Sequence, residues 1–140
     1  MIIPFKAEHL TMIPLHDSQK GNSIAESDVE NNRWVERTDS YTLADGEKIL
    51  ACWGFIPYWP GRSMLWAVIS KDTGPKMKAL YKIAKDSIDC HKGRIEFDVV
   101  SDFEQGIKWA NMLGFKCETP EPMKNYYPNG KDAYLFARVS

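Results

Sequence analysis

One short stretch combines the residue types that hold a phosphate. It is Lys71-Asp-Thr-Gly-Pro-Lys76, lying between the apolar run Met64–Ile69 and the lysine-rich segment that starts at Met77. A buried strand feeding a helix N-terminus offers backbone N–H groups and the positive end of a helix dipole, and together these bind anions. The candidate ligands are the amides of Thr73 and Gly74, the ammonium groups of Lys71 and Lys76, and Met77 at the start of the helix. Pro75 suits the first helical position but deletes a donor that a phosphate could use. Asp72 adds a repelling charge. The same lysines also read as an ordinary solvated helix face. Glu96 and Asp98 form a second group: alternating carboxylates on a strand can supply a general base, or simply face solvent. Ser101 and Asp102 suit the N-cap of the next helix. Trp53, Phe55 and Trp66 read as core, whereas Tyr58 and Trp59 in a turn invite a binding reading. Cys52, Cys90, Cys117, His9, His16 and His91 form no metal-ligand spacing. No metal is expected, and the cysteines read as free thiols in a reducing compartment.

These groups need a frame, and the apolar pattern supplies one. Met64 to Ile69 is nearly unbroken, as in a strand covered on both faces. Met77, Leu80, Tyr81, Ala84 and Ile88 then recur at helical spacing. Upstream, Asp45-Gly46 between two apolar stretches is a hairpin signal. A second reversal at 57–62 predicts three antiparallel strands in a row. Nearer the N-terminus, residues 2–5 read as an edge strand because of Pro4. Residues 6–13 read as one or two helical turns ended by Pro14. Ser23-Ile-Ala-Glu26 is a capping-box pattern opening a thinly apolar helix from Ile24 to about Val35. Downstream, Ile95, Phe97 and Val99 alternate with charged residues over 94–100, so one strand face is buried and the other wetter. The helix before that strand predicts a right-handed parallel crossover. A second helix over 103–113 stops at Gly114. A strand starts at Cys117, a loop spans 120–130, and residues 133–139 close the sheet.

The chain has 140 residues, a net charge of −1 and a pI near 6.3. The length implies one domain over 1–140 with a core of reasonable size. The charge argues against a nucleic-acid partner held by bulk electrostatics. No apolar run approaches the ~18 residues of a membrane span, and the first residues lack the features of a signal peptide.

The succession of elements resembles the GNAT superfamily of N-acetyltransferases over nearly the whole chain. Three local matches carry the likeness: 45–54 resembles the second hairpin, 95–115 with Leu113-Gly114-Phe115 resembles the fifth strand and fourth helix, and Gly130 leading into 134–139 resembles the closing strand. The resemblance implies an α/β fold, with a mixed, mostly antiparallel sheet and helices on both faces. It implies that strands 64–69 and 94–100 are parallel neighbours splaying into a V that takes acetyl-CoA. The pyrophosphate would then lie against Lys71, Thr73, Gly74, Lys76 and Met77. A backbone N–H at Ile69 or Ser70 would polarise the acyl carbonyl, and Asp98 would serve as the base. Departures from the family pattern imply weak cofactor binding: the turn is shortened and has one glycine, the family's asparagine falls on Phe103, and its general-acid tyrosine falls on Ala110.

Within the superfamily the chain is most similar to small GNAT-like proteins of short-tailed bacteriophages, including internal virion proteins. Three functions follow from the resemblance. The first is acyl transfer from acetyl-CoA to an amine on a small molecule or protein. The second is a non-catalytic phage protein with a structural or host-interacting role and a phage or host protein partner. The third is CoA or nucleotide binding without turnover. The corresponding locations are the cytoplasm of a bacterial host or the virion, with no membrane partner.

Overall fold

The Asp45-Gly46 reversal and the one at Pro60-Gly61 set the sheet, each with its glycine at positive φ (+62° and +98°). A computed structural model describes residues 1–15 and 28–140. Among these, seven strands form one sheet: β1 (Ile2–Pro4), β2 (Asp39–Asp45), β3 (Lys48–Trp59), β4 (Arg62–Ile69), β5 (Arg94–Val100), β6 (Lys116–Cys117) and β7 (Ala133–Val139). Their order is β1-β2-β3-β4-β5-β7-β6. Only the β4–β5 pair is parallel. Also among the described residues, the α-helices α1 (Met77–Cys90) and α2 (Glu104–Met112) follow β4 and β5. Two 3₁₀ helices, Ala7–Met12 and Glu30–Arg37, lie near the N-terminus, and a 3₁₀ turn at Gly74–Lys76 leads into α1.

The pleat of β4 explains its apolar run. Alternate side chains point to opposite faces. Met64, Trp66 and Val68 pack with Phe5, Leu10, Ile13 and Val35 under the 3₁₀ helices. Leu65 joins Phe55, Ile88 and Ile95 on the other face, and Ala67 and Ile69 join Trp53 and Leu80. Helical layers therefore cover both faces, and β4 is apolar from Met64 to Ile69 because both faces there pack against other elements. The first layer is clamped by Arg33, which pairs with Glu8, Glu30 and Glu36, and by Glu36, which accepts the Ala7 amide at 2.8 Å.

Several expectations need correction. The Ser23–Glu26 capping box lies outside the described residues. The described part of the helix expected over 24–35 is a 3₁₀ helix that runs on to Arg37. β3 continues through Pro57 to Trp59 because a bulge between Pro57 and Trp59 relieves the proline of a ladder bond. The polar face of β5 is not wet at Glu96, which is 5% exposed. Its carboxylate is gripped by Arg62 at 2.5 Å and Arg94 at 2.6 Å.

Candidate active site

The parallel pair holds for three residues only, Arg62↔Arg94, Ser63↔Ile95 and Met64↔Glu96. Beyond Met64 and Glu96 the ladder stops, and β4 and β5 part toward their C-terminal ends. The parallel pairing is the one expected from the strand–helix–strand pattern, and the parting is the V that the GNAT resemblance implies. On the α-helical face, Trp109 of α2 packs against both the β5-side cluster and the β4-side cluster, so a side chain bridges the parting strands there. Tyr81 of α1 meets it edge-on at 6.2 Å and donates its hydroxyl to the Met112 carbonyl at 2.9 Å.

At the mouth of the V lies the turn 71–76, and its amides can be followed one by one. Lys71 N–H donates to the Pro14 carbonyl at 3.0 Å, Thr73 N–H to Ser70 O at 3.3 Å, and Lys76 N–H to Thr73 O at 2.8 Å. Asp72 N–H donates to Ser70 Oγ at 3.1 Å. Met77 N–H closes the 3₁₀ turn on Gly74 O, and Pro75 has no N–H. Gly74 is the one amide of this turn with no acceptor among the described residues. Thr73 is buried, and its hydroxyl bridges Leu50 O at 3.1 Å and Ser70 O at 2.8 Å. Of the two amides expected to face a phosphate, that of Thr73 is therefore engaged inside the chain, and the amides of Lys76 and Met77 close the 3₁₀ turn. Beside Gly74 the side chains of Lys71, Asp72, Pro75 and Lys76 are exposed, so a carboxylate lies among the lysines. As folded, the turn does not fit a pyrophosphate cradle.

The resemblance implies a carbonyl-polarising amide at Ile69 or Ser70. Ser70 N–H donates to Leu50 O at 2.8 Å, on the β3 side, which removes Ser70 from that role. Ile69 also has a partner within the chain.

Asp98 lies two residues beyond the last β4–β5 pair, on the same face of β5 as Glu96. It is held by tyrosines of the 120–132 loop. Tyr127 donates its hydroxyl to Asp98 Oδ1, and Tyr126 reaches Oδ2 at 3.5 Å. Burial first, then the hydrogen bond to and charge of Asp98, push the Tyr127 hydroxyl well above its usual range. Tyr127 thus stays protonated and donating. Sequence reasoning missed this pair, although two adjacent tyrosines in a Pro/Gly-rich loop were the available signal. Nearby, Arg62 lies 4.4 Å from the Tyr58 ring and 4.8 Å from the Trp59 ring. The turn aromatics therefore hold a guanidinium as well as being exposed. Ala110, where the resemblance puts the family's general acid, is fully buried among Phe55, Leu113 and Phe115 and has no proton to donate.

Two adjoining concavities, of about 180 and 240 Å³, share Asp39, Phe55 and His91 as walls. They sit beside Ser63 and the C-terminus of α1, at the opposite end of β4 from the turn. No cluster of metal-ligating side chains occurs among the described residues.

No protein-family model and no curated protein matches the chain. Solved structures do. The protein smu.2055 of Streptococcus mutans superposes with a TM-score of 0.75 at 12% identity, covering 99% of this chain and 98% of that one. A GNAT-family acetyltransferase from Bacillus anthracis gives 0.67 at 15% identity, with 99% and 93% covered. Structure yncA of Salmonella typhimurium, solved with its cofactor acetyl-CoA, gives 0.70 at 9% identity, with 99% and 92% covered. All three come from bacteria. From its first strand to its last, this chain has the GNAT acetyltransferase fold.

Proposed function

We propose that the protein transfers an acyl group from acetyl-CoA or a related thioester to an amine carried by a small molecule or a protein. One observation carries the reading: β4 and β5 pair for three residues and then part, with an exposed lysine-flanked turn at the mouth. Asp98 is positioned to take the proton an amine loses on becoming an amide. Acetyl-CoA in the yncA structure supports the choice of cofactor for the fold.

A second reading rests on the engaged amides of the turn and on Ala110: a GNAT-fold protein without turnover, acting as a structural or host-interacting component of a phage particle. Calorimetry with acetyl-CoA and desulfo-CoA, paired with thiol release over a panel of amines, separates the two. Amine-dependent thiol release establishes the first reading. Binding of neither ligand, with no release, overturns it in favour of the second.

A further inference from the structure

The chain carries its own occupant for the mouth of the V. Pro14 and Leu15 leave the 3₁₀ helix Ala7–Met12 and lie along the outer end of β4. Leu15 forms an antiparallel bridge with Ser70, and the Pro14 carbonyl takes the Lys71 amide at 3.0 Å. That amide lies on the β5 side of the strand, where an anion at this turn would approach. The strap is anchored from behind. Ile13 is in the core under the 3₁₀ layer, Leu15 packs against the same cluster, and the preceding helix is clamped by Glu36 and Arg33. The Ser70 hydroxyl and carbonyl in turn hold the amides of Asp72 and Thr73. One bridge thus fixes both the strand edge and the closed form of the turn.

We propose that Pro14–Leu15 is an autoinhibitory strap that competes with the CoA diphosphate for the end of β4 and the turn beyond it. The inference rests on the acyltransferase reading. Only molecules with the strap lifted bind cofactor, so apparent affinity is reduced by the fraction that is open. An extended segment suits this role because its backbone carbonyl satisfies the very donor that a phosphate oxygen would need.

The test is a reversible lock. Residues bridged in an antiparallel pair have Cα separations compatible with a disulfide, so Leu15→Cys with Ser70→Cys, in a Cys90→Ser, Cys117→Ser background, fastens the strap on oxidation. Acetyl-CoA binding is measured by calorimetry on the oxidised and reduced forms. The expected result is binding at least about tenfold weaker when oxidised, restored by reductant. Equal binding by the two forms overturns the strap and leaves the acyltransferase reading standing. No binding by either form or by the unmodified chain overturns that reading and the strap with it. Leu15→Gly, which loosens the anchor without a cross-link, is expected to bind acetyl-CoA several-fold more tightly, and unchanged or weaker binding counts against the strap.

Discussion

His9 shows how one side chain ties stability to pH. Its Nδ1 accepts the Lys6 amide at 3.1 Å and lies 2.8 Å from Thr42 Oγ1, so the neutral ring carries its proton on Nε2. Thr42 is fully buried and also meets Cys52 Sγ at 3.4 Å; burial pushes that thiol up to about 12. Burial lowers the His9 pKa below 6.5, against the opposing pull of Glu8 and Glu36. The unfolded chain therefore binds a proton first, and stability is lost as pH falls through about 6.5. Glu96 and Glu118, lowered chiefly by their hydrogen bonds to Arg62 and Arg94, lose their contributions in a separate window below about pH 4.5. The melting temperature should fall in two steps on acidification, and His9→Gln should flatten the upper one. An unchanged upper slope in the variant would place that titration elsewhere.

Glu96 itself holds the start of the V together. Its removal leaves Arg62 and Arg94 facing each other across the only paired part of β4–β5. Breaking a buried ion pair costs about 3–5 kcal/mol. Both guanidinium groups keep some exposure, 32% and 29%, so water can partly replace the carboxylate. Glu96→Ala should cost about 2–4 kcal/mol in urea unfolding. A loss below about 0.5 kcal/mol would mean that solvent already screens the triad. At the turn, Pro75→Gly supplies a donor. A hydrogen bond to a charged phosphate is worth about 1.5–3 kcal/mol, so acetyl-CoA should bind roughly ten- to a hundredfold more tightly. Unaltered affinity would show that the diphosphate does not sit at 71–76.

Among the elements, β4, β5 and α2 were legible because their patterns are local. An unbroken apolar run, a period-2 alternation and a glycine stop each report on their own neighbours. β5 and β7 keep the expected bounds to the residue. What stayed hidden depends on partners distant in sequence. Glu96 looks like a surface carboxylate until Arg62 arrives from 34 residues away. The turn 71–76 looks like a damaged phosphate loop, yet its sequence could not show that Pro14 and Ser70 had already taken its amides. Nothing in the pattern of the 103–113 helix singles out Trp109, yet it packs against the clusters on the two sides of the V. It is only partly buried. Trp109→Ala should therefore cost about 2–3 kcal/mol, below the ~3–5 kcal/mol of a fully buried aromatic. Trp34, 47% exposed on the first 3₁₀ layer, should cost within about 0.5 kcal/mol on the same change. Equal losses for the two would mean that Trp109 does not bridge the helical face.

At the scale of the whole molecule, β4 separates two places where a ligand could sit, and their electrostatics differ. The overall charge of −1 supplies little long-range attraction for an anion. The turn end nevertheless gathers Lys71, Lys76 and Lys78, all exposed. The far end carries the concavities around Asp39 and His91, where the imidazole stacks on Phe55 at 4.2 Å and meets Ser63 Oγ at 3.3 Å. Attraction by exposed lysines is screened over a Debye length, which shrinks from about 30 Å at 0.01 M salt to about 8 Å at 0.15 M. Acetyl-CoA bound at the turn should therefore weaken at least about fivefold across that range. Lys71→Gln with Lys76→Gln should remove most of the dependence, while His91→Gln should leave both affinity and salt response as they are. Titrations at several salt concentrations decide the matter. A response abolished by His91→Gln and indifferent to the lysines would move the ligand to the other end of β4 and leave the parted strands without a role in binding it.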